Sequence, residues 1–487
     1  MSKILITGAG LGGLSTALRL TSKGHQVKVV EKFHQPGGRL NKLSKDGFTF
    51  DMGPSFFSMS YEFHELARSC DWELPFEFHE LDPLYAVNFA DTGKTFKIYK
   101  DPKKLAAEFD GIEPNLEEKL NKYLQTTGAL FHDTENLIIR RNFNHWWEYL
   151  QALVQVPLKH APKLMRSFWS EVEHHFESRE VKEILSLVAF FLGGTPFDTP
   201  AVFTMLSYTE LKHDGYYNVK GGMYKIVEGL MDELKRRGVE FHFNTTIVDF
   251  DSINGHLRAL IDKNGNRWEA DHFVVNADAA LFRGKILRRP AFRPEKLDQM
   301  RWTMAPLTIY LGIKGKIPHV HHHNYFLGPN FKDYANKLFK NEVSLEKPYY
   351  YVNVLSRHNP ESAPEGCESL FILVPVPDLR FRPDWSDGEE ITEGILKDLS
   401  ERIDYDLIGN RLSQTIYTPK EWEKMFDLHR GSGLGLGHNM GQMGYLRPSN
   451  KDEKFSNLYY TGASTTPGTG LPMVVIGSKL TVEQMNL

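Results

Sequence analysis

Apolar and polar positions alternate between two periods along this chain. Ile4-Leu5-Ile6 predicts a strand over Lys3 to Thr7, and Leu14, Ala17, Leu18 and Leu20 follow near helical spacing. Gly24 supplies a stop, and Gln26-Val27-Lys28-Val29-Val30 reads as a second strand ending at Glu31. The result is a βαβ unit, followed by a hairpin pattern from Leu40 to Phe50. Between Leu116 and Ile138, apolar residues three and four apart predict one long amphipathic helix. The period of two returns in Val239, Phe241 and Phe243. A meander follows through Thr246–Phe250, an Asn254-Gly255 turn, Leu257–Ile261 and an Asn264-Gly265 turn, closing on the strand His272–Val275. Residues 290–430 mix strands and helices with proline-rich turns, and Asn457 to Lys479 reads as strand, glycine-rich loop and an apolar helix starting near Pro472.

Length changes this picture little: 487 residues, at roughly 150 per domain, make about three domains or two large interleaved ones. Apolar residues at 41% and charged residues at 25% exclude collagenous and largely disordered chains. A net charge of −4 provides no field to recruit nucleic acid, and DNA or RNA binding is set aside. Cys70 and Cys367 are too few for a zinc ribbon or a disulfide scaffold and point to a reducing, cytoplasmic setting. No run reaches the ~18 apolar residues of a spanning helix, the best being Ile184 to Leu192, and no basic and apolar targeting segment precedes the first strand. His319 and His321-His322-His323 form the most obvious histidine cluster. Adjacent strand residues point to opposite faces and no acidic or cysteine partners accompany them, so a surface turn is expected and no metal site.

Chemistry concentrates at the two ends. Gly8, Gly10 and Gly13 satisfy G-x-G-x-x-G between strand and helix: the first allows the tight turn, the second lets backbone approach a diphosphate, the third lets helix pack on strand. Glu31, eighteen residues after Gly13, is placed to accept from ribose hydroxyls. The fingerprint alone does not separate NAD from FAD. Two more glycine-bearing loops, Pro36-Gly37-Gly38-Arg39 and Asp51-Met52-Gly53-Pro54-Ser55, favour a longer cofactor lying extended, with Arg39 bridging ribose or phosphate oxygens. At the other end, the positive end of the helix after Gly462-Ala463-Ser464-Thr465-Thr466-Pro467-Gly468-Thr469-Gly470 suits a ring that gains negative charge on reduction.

The G-x-G-x-x-G…E…GGR opening resembles flavoproteins that include amine oxidases, protoporphyrinogen oxidase and carotenoid desaturases. With the Asn218-Val219-Lys220-Gly221-Gly222-Met223 block and the G-A-S-T-x-P-G-x-G-x-P ending, the whole chain looks like the bacterial-type phytoene desaturase family of carotenoid desaturases and retinol saturases. That resemblance implies an α/β fold, with a Rossmann-type FAD-binding domain (1–84, 215–288 and 436–487) interleaved with a mixed-sheet substrate domain (289–435) and a helical, membrane-facing segment (85–214). It implies FAD contacts at Gly8, Gly10, Gly13, Glu31, Arg39, Ser55, Phe56, Val248, Asn276, Gly462 and Met473, with Val248 bracketing the adenine. FAD is expected to be non-covalent, because the last cysteine is Cys367 rather than one near the C-terminus.

The implied reaction is desaturation of a C30 or C40 polyene drawn from lipid, with hydride transfer to the flavin and a quinone or O2 as final acceptor. Such chemistry needs an apolar slot that aligns a C–H bond with the flavin and no obligatory charged side chain, so no catalytic residue is assigned. General resemblance leans to the C3–C4 bond of a monocyclic, γ-carotene-like or 1-hydroxylated carotenoid; multi-step desaturation of phytoene or diapophytoene is the alternative. Amine or porphyrinogen oxidation is disfavoured by the C-terminal pattern. A non-enzymatic prenyl-lipid carrier of the Rab escort or GDP dissociation inhibitor kind is disfavoured by the intact glycines and Glu31. The acid-free stretch Tyr149 to Ser170, with Lys159, Lys163 and Arg166 among apolar residues, fits either a membrane surface or a helical subdomain with solvated lysines. The expected location is cytoplasmic with peripheral membrane association.

Overall fold

The computed structural model describes residues 1–340, 345 and 347–487. Its first layer is a five-stranded parallel sheet in the order Leu458–Tyr460, His272–Val275, Lys3–Thr7, Gln26–Val30, Glu240–His242. Parallel strands are buried on both faces, which is why these short segments read as nearly continuous apolar runs. Ile4, Ile6, Val27, Val29 and Val274 pack against helices Leu11–Ser22, Lys225–Arg236 and Leu471–Met485. Leu5, Val30, Phe273 and Val275 face the other way, onto Leu257 and Leu260 of a three-stranded antiparallel meander, Ile247–Ile253, His256–Asp262 and Arg267–Glu269.

A second sheet of seven strands runs in the order Arg411–Tyr417, Ala305–Lys314, Cys367–Val376, Tyr350–Val354, His323–Leu327, Tyr85–Phe89, Thr95–Ile98. Only the His323–Leu327 and Tyr85–Phe89 pair is parallel. One face carries Leu307, Ile309 and Leu311 onto Ile395, Leu396 and Leu399 of helix Gly388–Ile403. The opposite face carries Tyr310, Tyr325, Tyr351 and Phe371 towards Phe48 and Phe50 of the hairpin. That aromatic face is the floor of the site.

On that aromatic side lie helices including Leu116–Thr134, which runs into a wider turn, Glu135–Ile139, and then Trp146–Gln155. The stretch Ile184 to Leu192 is split between the end of helix Arg179–Ser186 and a tight turn, Leu187–Leu192, and among the described residues no helix is long and apolar enough to cross a membrane.

Two expectations are corrected here. His322 and His323 are not in a surface turn: they are 5% and 0% exposed, because His323 begins a central strand. Lys163 is not a solvated or lipid-facing cation either, since it is buried in an ion pair with Glu171.

Candidate functional site

A single cavity of about 670 Å³ runs from the C-terminal edge of the parallel sheet to the aromatic face of the mixed sheet. Its narrow end is a cradle made by glycines. Gly8 has φ +104°, a conformation that L side chains rarely adopt, and the chain turns there from strand into helix. A Cβ on Gly10 would lie 2.8 Å from Asn276 Oδ1, and one on Gly12 2.6 Å from Asn276 Nδ2. Helix Leu11–Ser22 has no side-chain cap, so its first amides and positive end are left open to the cavity, where an anionic diphosphate belongs. Gly13 faces away: a Cβ there would be 2.1 Å from the Gly8 carbonyl oxygen, so it serves helix–strand packing and does not line the cavity.

Glu31 ends the second strand in the cavity wall, 6% exposed. Its carboxylate accepts the Ala9 N–H at 2.6 Å and the Phe33 N–H at 3.0 Å. Burial pushes its pKa up, while those backbone N–H groups oppose the shift. Asn276 follows the strand His272–Val275 and donates through Nδ2 to the Thr461 carbonyl at 3.0 Å, tying the strand end to the C-terminal loop. The Thr461 hydroxyl is buried without a partner next to Gly12.

Arg39, Ser55, Phe56, Gly462 and Met473 also line the cavity. Arg39 donates to the Gly433 carbonyl at 3.2 Å, and burial lowers its pKa against the pull of Asp278. Ser55 shares a 2.8 Å hydrogen bond with the Tyr351 hydroxyl, which in turn lies 2.6 Å from His323 Nδ1. Phe56 stacks on His323 at 3.9 Å and tilts against Tyr216 and Phe191. Gly470, Leu471, Pro472 and Met473 bring the start of helix Leu471–Met485 to the wall.

Val248, like Gly13, is a sequence-derived position that lies off the cavity wall. It is 43% exposed, whereas Ile247 lines the wall. Adjacent strand residues face opposite sides, so a shift of one residue decides the matter.

Sequence reasoning missed three side chains. Arg447, 2% exposed, donates to the carbonyls of Ala463, Thr465, Leu436, Gly437 and Gln442 at 2.6–3.2 Å. It staples the glycine-rich C-terminal loop to the strap that precedes it, and burial lowers its pKa to about 10. His438 engages both ring nitrogens, Nδ1 with the Leu192 carbonyl at 3.4 Å and Nε2 with the Thr469 N–H at 3.2 Å. Glu210 is a buried carboxyl in the otherwise aromatic half of the cavity. No motif marks any of them; only the folded chain brings His438 and Glu210 to the wall and Arg447 behind the loop that forms it.

At its far end the cavity is lined by Phe131, Ile139, Phe203, Met205 and Leu206. Ile139 ends the turn that leads to helix Trp146–Gln155, whose Trp146, Trp147, Leu150 and Val154 are 46–78% exposed. Met440, Tyr445 and Leu446 extend this apolar surface, because Gly444 sits so close to the Tyr149 ring that a Cβ would lie 2.4 Å from it. Exposed apolar area of this extent on one side of a molecule marks an interaction surface.

Comparison with known proteins agrees with this geometry. Residues 11–486 match the family model described as flavin containing amine oxidoreductase. The chain is 32% identical over 490 residues to the zeta-carotene-forming phytoene desaturase of Myxococcus xanthus, covering 99% of this chain and 93% of that one. It is 28% identical over 492 residues to the carotenoid 3,4-desaturase of Haloarcula japonica, covering 99% and 97%. Among solved structures, an oxidoreductase from Methanosarcina mazei superposes with a TM-score of 0.65 at 18% identity, covering 99% of this chain and 100% of that one.

Proposed function

Because the chain belongs to the flavin-containing amine oxidoreductase family and carries an intact cradle for FAD, we propose that it desaturates a C30 or C40 carotenoid polyene drawn from a membrane. The observation that carries this reading is the single cavity, which starts at the dinucleotide glycines and continues as a long aromatic and aliphatic slot. When bound, FAD supplies a two-electron acceptor. The protein's part is to hold a CH2–CH2 unit against it, exclude water and fix the reacting C–H bond by packing on Phe56, Tyr216, Tyr325 and Tyr351. For the bond, the reading is C3–C4 of a γ-carotene-like or 1-hydroxylated carotenoid, supported by the similarity to the Haloarcula desaturase. The second reading, phytoene or diapophytoene desaturation, is supported equally by the Myxococcus relative. Reoxidation by a quinone or O2 belongs to the same proposal. The test is anaerobic addition of liposomes carrying phytoene, neurosporene, γ-carotene or a 1-hydroxycarotenoid to the flavin-loaded protein. One of them should bleach the flavin while its own absorption moves to longer wavelength; bleaching by none of them rejects the reading.

Peripheral membrane docking through the Trp146–Gln155 helix is the companion proposal, since the cavity's apolar end lies beside that helix. The docking force is assigned to exposed Trp147 and Val154 and not to Lys163, whose charge is engaged by Glu171. Trp147→Glu with Val154→Glu should weaken liposome co-sedimentation by about 100-fold, given roughly 1.5–3 kcal/mol for each buried apolar side chain. Lys163→Met should leave it within about twofold. Equal sedimentation of the double variant and the unaltered protein would reject this surface.

A further inference from the structure

Among the described residues, four carboxyl groups line the cavity: Glu31, Glu210, Asp278 and Asp427. Three of them have work that fixes them in place. Glu31 accepts two backbone N–H groups. Asp278 caps a helical turn through the Ala280 and Leu281 N–H groups and receives the Ser464 hydroxyl. Asp427 is exposed in an ion pair with Lys32. Glu210 is different. It is 6% exposed, sits in the wide turn Thr209–His213, and its carboxyl interacts with the phenols of Tyr85 and Tyr216.

The titratable groups around Glu210 are Tyr85 from the Tyr85–Phe89 strand, Tyr216 ahead of the Tyr217–Val219 strand, Tyr325 from the His323–Leu327 strand and Tyr123 from the Leu116–Thr134 helix. All four are neutral phenols whose ionisation burial opposes. Among the described residues, no cation is a cause of the shift in Glu210, and burial pushes its pKa up to about 7. A structural carboxyl in such a place is normally paired or replaced by an amide, because an isolated charge in low dielectric is costly. The Tyr216 ring, whose phenol interacts with this carboxyl, also packs on Phe56 at 4.7 Å, so the carboxyl is one ring away from the floor next to Ser55.

We propose that Glu210 is the proton acceptor of the dehydrogenation, held by Tyr85 and Tyr216 so that it faces the polyene. This assignment rests on the desaturation reading. The CH2–CH2 unit loses one hydrogen, with both bonding electrons, to FAD and the other as a proton to the Glu210 carboxylate; the electron pair left by the proton becomes the new C=C bond, and one carboxylate becomes one carboxylic acid. A carboxylate that protonates near neutral pH suits this step, because a C–H bond beside a carbon that has lost a hydride needs only a weak base. The histidines nearby do not fill the role. His438 has both nitrogens engaged, and His323 lies behind Phe56, off the cavity wall, with burial holding its pKa well below the usual histidine range.

The experiment uses the FAD-loaded full chain, Glu210→Gln and Glu210→Asp. Flavin bleaching by the polyene that reacts with the unaltered protein is followed anaerobically on both sides of neutral pH. In the unaltered protein the rate should rise with pH through a step near 7. Glu210→Gln should bind FAD with an unchanged spectrum, lose the step and slow bleaching by about 100-fold or more, with Glu210→Asp in between. A second readout needs no substrate: the infrared difference between acid and alkaline samples should contain a buried carboxylic-acid C=O band that titrates in the unaltered protein and is missing from Glu210→Gln. Bleaching in Glu210→Gln within about twofold of the unaltered protein, with the same pH step, overturns the assignment while desaturation stands, and so does absence of the titrating band. If no polyene bleaches the unaltered protein, the desaturation reading itself has failed and the role of Glu210 falls with it.

Discussion

Arg447→Met should lower the unfolding free energy by roughly 4 kcal/mol and leave the purified protein largely without flavin. The guanidinium is 2% exposed and is the shared donor for five main-chain carbonyls, two in the glycine-rich loop and three in the strap at 436–442. Methionine fills the volume and supplies no donor, so those buried carbonyls lose their partner, at about 1–3 kcal/mol for each that water fails to reach. Among the described residues no carboxylate bonds the arginine, and the role is therefore a staple for backbone rather than an ion pair. Arg447→Lys should be nearly as damaging, because a single ammonium does not span carbonyls that the planar fork reaches on both sides. Urea unfolding midpoints and bound flavin per chain test this directly. Lysine at this position with wild-type stability would show that charge alone matters and would overturn the staple.

Gly10→Val and Gly13→Ala should fail in opposite ways. At Gly10 the backbone is extended, with φ −75° and ψ 172°, so a side chain is sterically permitted and the folded protein survives. Its Cβ would crowd Asn276 Oδ1 at 2.8 Å and enter the cradle, removing the close approach of backbone to diphosphate. FAD affinity should fall by about 100-fold or more, equivalent to roughly 3 kcal/mol, with the apo melting temperature nearly unchanged. At Gly13 a Cβ would stand 2.1 Å from the Gly8 carbonyl oxygen, which is backbone and has nowhere to go. Gly13→Ala should lower the apo melting temperature and disturb binding only as a consequence. Calorimetry of apo protein, paired with flavin titration, separates the two; equal apo stability in both variants would remove the distinction.

The two ends of the chain were the legible part. Gly8 to Glu31 and Gly462 to Met473 each place strand, turn and helix start within a few residues, so local patterning is enough to put their side chains at the cavity wall. The Asn254-Gly255 turn was equally readable, since both residues take positive φ between antiparallel strands. Long-range pairing was not readable. Nothing near His323 announces that its strand pairs with Tyr85–Phe89, yet that pairing puts the ring under Phe56 and away from solvent. Lys163 was misread for the same reason, its partner Glu171 lying just beyond the acid-free window. Val248 stands off the cavity wall, which takes Ile247 on the opposite face of the strand. Glu210 and Arg447 carry no motif at all; each acquires its role from segments distant in sequence, Tyr85 for the first and the 463–465 loop for the second.

The parallel sheet has a bearing on how the protein is made. Its strands come from residues 3–7, 26–30, 240–242, 272–275 and 458–460, and the loop that closes the cradle follows the last of them. A ribosome therefore exposes the diphosphate glycines long before the chain that completes their pocket exists. Until residues 458–487 emerge, the strand His272–Val275 is an open edge and its apolar faces lack the helix Leu471–Met485. Cofactor capture in this architecture consequently waits for the segment 458–487, and the chain is most aggregation-prone until that segment has joined the sheet.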